Sequence, residues 1–112
     1  MERGAEPWVI ARLYSRDDGE SCFEDITLSL KEAGELGRLS LAQPVSGILF
    51  RENDGDYNWD FHNAPARQYI IMLGGVTEIE ASSGEKRLFR AGDILLVEDT
   101  EGKGHRSRSV DG

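Results

Sequence analysis

The chain has 112 residues, 38% of them hydrophobic and 30% charged, the balance of a folded globular protein rather than a disordered one. That length suits a single core, so one domain is expected over 1–112. Twenty-one acidic against 13 basic side chains give a net charge of −8 with no basic run, which removes the attraction that nucleic acid and anionic membranes depend on.

The longest apolar runs, Tyr69 to Leu73 and Ile94 to Val97, are far too short to cross a bilayer. The opening Met1-Glu2-Arg3-Gly4 lacks the apolar stretch of a secretory signal. Cys22 is the only cysteine, so no internal disulfide can form and the cytoplasm is the expected compartment.

In chain order, Trp8 reads as a core or interface anchor. Phe23 to Leu30 alternates, with Ile26, Leu28 and Leu30 on one face and Asp25, Thr27 and Ser29 on the other, the period of a strand. Leu30, Ala33, Leu36 and Leu39 then recur at helical spacing, but Gly34 and Gly37 each cost a helix about 1 kcal/mol, so a loop or a single turn between strands is expected. Ile48-Leu49-Phe50 is a short apolar run, and Asp54-Gly55 signals a tight turn. Tyr57 to His62 alternates again. Gln68 to Leu73 leads into Gly74-Gly75, Val76 to Ala81 into the turn Ser82-Ser83-Gly84-Glu85, and Lys86 to Arg90 into Ala91-Gly92-Asp93. Ile94 to Val97 and a polar loop from Glu98 to Gly104 complete the pattern. Short strands with regular turns between them predict an all-β antiparallel sandwich or barrel.

The second half carries two motifs. His62-Asn63-Ala64-Pro65-Ala66-Arg67-Gln68 ends shortly before Gly75, and Gly92 opens a stretch that closes on Gly102-Lys103-Gly104-His105. Together they resemble the cupin superfamily, whose first motif is G(x)5HxH(x)3–4E(x)6G and whose second is G(x)5PxG(x)2H(x)3N. His62 stands at the first histidine, Ala64 at the second, Gln68 at the glutamate, Glu98 at the proline and His105 at the closing histidine. The likeness covers roughly 47–110, and both histidines of the chain fall in ligand positions. It implies a double-stranded β-helix, or jelly-roll barrel, of two antiparallel sheets. Fold alone does not set the chemistry.

The resemblance implies that His62, Gln68 and His105 converge inside the barrel. Two imidazoles and an amide oxygen are candidate ligands for one divalent transition metal (Fe, Mn, Ni, Co or Zn), since imidazole suits these ions. With the glutamate replaced by Gln68 and one histidine by Ala64, no carboxylate offsets the ion, and a metal-free pocket binding a small molecule stands beside the metal reading. Glu98 and Asp99, on the loop before His105, are candidate ligand-binding residues; Arg67 is expected to point outward into a surface ion pair. The resemblance also places a histidine at the position of Cys22.

Strand period decides where His62 points. Asn58, Asp60 and His62 share one face; Tyr57, Trp59 and Phe61 share the other. With His62 inside, Asp60 beside it is a candidate partner for metal-free acid–base catalysis by an isomerase, the carboxylate fixing the imidazole and the ring acting as base. The aromatic stripe would then face outward, and an exposed apolar stripe predicts a homodimer.

Overall fold

A computed structural model describes residues 8–110. Ten strands form: β1 (Trp8–Ser15), β2 (Ser21–Leu28), β3 (Lys31–Glu32), β4 (Arg38–Leu39), β5 (Asn58–His62), β6 (Gln68–Ile71), β7 (Val76–Ala81), β8 (Lys86–Arg90), β9 (Ile94–Val97) and β10 (His105–Ser109). The chain is all-β apart from one 3-10 turn over Gly34–Leu36. No helix among the described residues is long and apolar enough to cross a membrane.

Two four-stranded sheets run β2-β1-β9-β6 and β5-β10-β7-β8, and β3 pairs with β4 in a separate hairpin. The pairing is antiparallel except between β1 and β9, which run parallel, so the first sheet is mixed rather than antiparallel throughout. The strands form two open sheets rather than one closed barrel. Their facing sides share one core: Leu13 and Phe23 from β1 and β2, Leu95 and Val97 from β9, Ile79 and Ala81 from β7, Phe89 from β8, and Ala64 from the β5–β6 connection. The unbroken apolar run of β9 follows from its place between β1 and β6, which leaves Leu95, Leu96 and Val97 buried on both faces.

Expected turns are in place. Tyr57 N donates to Asp54 O across the Asp54-Gly55 turn, and Gly84 N donates to Ala81 O at the head of the β7–β8 hairpin. The helical spacing of Leu30 to Leu39 resolves into the β3–β4 hairpin around its 3-10 turn, as the two glycines require. Three readings need correction. The Ile48-Leu49-Phe50 run forms no strand and lies exposed. β2 alternates as read, with Ile26 and Leu28 on one face, across from Ile10 and Trp8, while the core takes Ser21 and Phe23 from the other. Cys22 is on the face of Ile26 and Leu28, so a histidine there would point away from the core.

The third correction positions the site. β5 pairs with β10 as His62↔His105 and then Trp59↔Ser107, three residues against two, so β5 carries a bulge. The extra residue turns Trp59 onto the face of His62, and strict alternation fails between them. Phe61 stays on the far face under the Arg106 guanidinium, 5.5 Å from its ring centre. Tyr57 joins the inner side, its hydroxyl 2.6 Å from that of the buried Ser107. The stripe expected of Tyr57, Trp59 and Phe61 is therefore split between two faces.

Candidate functional site

β10 has no apolar residue, yet it sits between β5 and β7 and presents His105 and Ser107 to the interior. His105 stands across from Ala81 and Ser107 from Ile79, both core residues, so the imidazole lies on the core-facing side of the sheet. On the other flank His62 brings its ring to 4.6 Å from the His105 ring, centre to centre, and Trp59 stacks on His62 at 3.5 Å with the planes 11° apart.

Each imidazole is oriented by its Nδ1. That of His105 lies 2.5 Å from Asp99 Oδ2, a carboxylate with no exposed surface, whose Oδ1 is buried with no hydrogen-bond partner among the described residues. That of His62 lies 2.7 Å from the backbone carbonyl of Asp60. A carbonyl can only accept, so His62 carries its hydrogen on Nδ1, and with Asp99 accepting, His105 does the same. Both rings then hold Nε2 as a free lone pair when neutral. Burial, together with the neighbouring His105, outweighs the Asp60 carbonyl and draws the His62 pKa below its ordinary 6.5, so this ring is neutral at pH 7.

The loop of residues 98–104 brings Asp99 and His105 together, and two glycines let it close. Gly104 has φ +74, and a Cβ there would stand 2.2 Å from His62 O; Gly102 has φ +82, and its Cβ would meet Gly19 O at 2.5 Å. Lys103 N donates to Gly19 O, Ala64 N to Asp99 O, and Asn63 Nδ2 to Gly102 O at 3.1 Å, tying the loop to the β1–β2 turn and to the residues after His62. The buried Ser21 hydroxyl donates to Gly104 O at 2.7 Å.

His62, His105 and Asp99 are therefore brought together. Gln68 stands opposite Val97 on the core-facing side of the other sheet, at its exposed end. Asp60 is exposed and its carboxylate accepts from Phe61 N, so the carboxylate–imidazole pair forms between Asp99 and His105 and not between Asp60 and His62. Glu98 faces outward into an ion-pair network with Arg12 and Arg67, and Arg12 also reaches Glu24 at 2.5 Å. Burial pushes the Glu98 carboxyl up, but the two guanidinium groups outweigh it and hold it below the usual carboxylate range.

Trp59 is the site residue that strand period misplaced. Asn63 and Ser21 carried no sequence signal beyond their neighbours.

A metal would find two imidazoles here. Among the described residues no three side chains of His, Cys, Asp or Glu gather as ligands, and the Asp99 oxygen nearest His105 is taken by that ring. Two neutral imidazoles alone fall short of the three or four protein ligands of a tight site. Comparison with protein-family models, curated proteins and solved structures finds no match.

Proposed function

We propose that the protein is a cupin-type β-sandwich, its two sheets arranged as a jelly roll, that binds a small polar molecule between them and can move a proton on it without a metal. The Asp99–His105 pair supports this most: a fully buried carboxylate fixes the imidazole with Nε2 free, an arrangement that makes a ring a general base and stabilises it once protonated. His62, neutral at pH 7, supplies a second acceptor beside it, and the half-exposed Trp59 gives the ligand a flat apolar wall. A substrate carrying a hydroxyl or an acidic C–H fits these groups, and isomerisation is the simplest reaction they support. The acid–base reading thus moves from Asp60 to Asp99, with His105 as the base.

The test is a nuclear magnetic resonance screen with small hydroxy acids, sugars and aromatic carboxylates. Shifts should gather on His62, His105 and Trp59 and disappear in His105→Ala. Shifts confined to other surfaces, or none, would overturn the reading. Metal content of the purified protein separates the alternative: a stoichiometric divalent ion that both His62→Ala and His105→Ala lose would put a metal-dependent enzyme first.

A further inference from the structure

Between β4 and the Asp54 turn the chain runs as an exposed arm. Leu41, Val45 and Ile48 are 70–79% exposed, Leu49 is 93% and Phe50 84%. No amide over 41–50 makes a backbone hydrogen bond among the described residues. Yet the arm is tethered at both ends: the Tyr69 hydroxyl on β6 donates to Gln43 Oε1 at 3.2 Å, and the Arg51 guanidinium lies over the Tyr57 ring beside β5, 5.1 Å from its centre. The arm thus spans the edge strand of one sheet and the edge strand of the other. The radius of gyration, 15.5 Å, exceeds the roughly 13 Å expected for a compact chain of this length.

We infer that this arm is the docking surface for a second copy of the chain, in a two-fold homodimer. Area argues for it. Five apolar side chains at somewhat over 100 Å² each offer roughly 600 Å², approaching the ~800 Å² that each partner gives a standard interface. That is at the upper end of the largest apolar patch a monomer carries. Charge argues for a copy rather than a foreign partner. From Leu39 to Phe50 there is no charged residue, in a chain whose net charge is −8. Two copies repel each other elsewhere, and a two-fold axis through the arm joins a long neutral stretch to itself. The backbone agrees: a segment whose amides over 41–50 make no backbone hydrogen bond among the described residues can add to an open strand edge, and β5 and β6, the edge strands beside the arm, offer such edges on the partner. This inference is independent of the proposed site chemistry.

Analytical ultracentrifugation of the full chain over a dilution series is the test. Wild type should sediment at twice the 12.5 kDa chain mass and dissociate on dilution. Leu49→Glu combined with Phe50→Glu should halve that mass while near-ultraviolet circular dichroism is unchanged; the milder Phe50→Ser should weaken association in the same direction if the double variant folds poorly. Hydrogen exchange of the amides over 41–50 should slow as concentration rises. A monomer at every concentration, a dimer that both variants leave intact, or arm amides that exchange equally fast throughout would each overturn the inference.

Discussion

At the Asp99 carboxylate one oxygen holds His105 Nδ1 and the other, Oδ1, has no partner among the described residues, although the side chain has no exposed surface. Removing this acceptor takes away a charge-assisted hydrogen bond and opens a polar hole, so Asp99→Ala should lower stability by about 2 kcal/mol in urea unfolding. His62 gives a pH signature. Its folded pKa is depressed, so the unfolded chain takes the proton first as pH falls below about 6.5, and the contribution of this ring is present above that pH and lost beneath it. Glu98 is depressed too, and its contribution holds above about 4.5 and fades as pH falls through the folded value. Urea midpoints should therefore decline in two windows, and His62→Gln should flatten the upper one. A midpoint that rises between pH 7 and pH 5.5 would contradict the His62 sign, and one that rises as pH falls below about 4.5 would contradict the Glu98 sign. Asp99 and His105 were legible as site residues from their loop and motif. Their partnership was not, because five residues of glycine-rich loop separate them and only the folded turn shows that they meet.

Elements were legible where one side is apolar. β7, β8 and β9 stand where Val76 to Ala81, Lys86 to Arg90 and Ile94 to Val97 place them, since each is an apolar or alternating run between turn residues. β10 was hidden because its sequence, His105 to Ser109, is wholly polar; it is a strand because β5 and β7 pair with it on both sides. The bulge in β5 was equally hidden, since one extra residue leaves no mark on composition and reverses the faces on either side of it. The loop before β10 depends on Gly104, whose positive φ and closeness to His62 O leave no room for a methyl group. Gly104→Ala should cost about 2–3 kcal/mol and displace the His62 ring from Trp59, read as lost ring-current shifts on the His62 protons. An unchanged stack would show that the loop is not what sets it.

For the whole molecule, two open sheets close over one buried cluster, and Leu95, at the centre of the mixed sheet, is almost wholly enclosed. Leu95→Ala should cost about 2–5 kcal/mol and lower the thermal midpoint without changing the far-ultraviolet spectrum. An all-β architecture was legible from the repeated turns. The parallel β1–β9 pair was not, because it joins residues from opposite ends of the chain and no local pattern encodes it. That pairing and the shared core bring the loop after β9 against β10, so the arrangement of the site follows from the packing of the whole sandwich. The proposed acid–base role depends on His105 being held by Asp99 with Nε2 free. The direct measurement is the two-bond proton–nitrogen correlation spectrum of the imidazoles in ¹⁵N-labelled protein near neutral pH. The hydrogen should sit on His105 Nδ1, with a slowly exchanging resonance that Asp99→Asn removes; a hydrogen on Nε2, or a tautomer indifferent to Asp99→Asn, would contradict it.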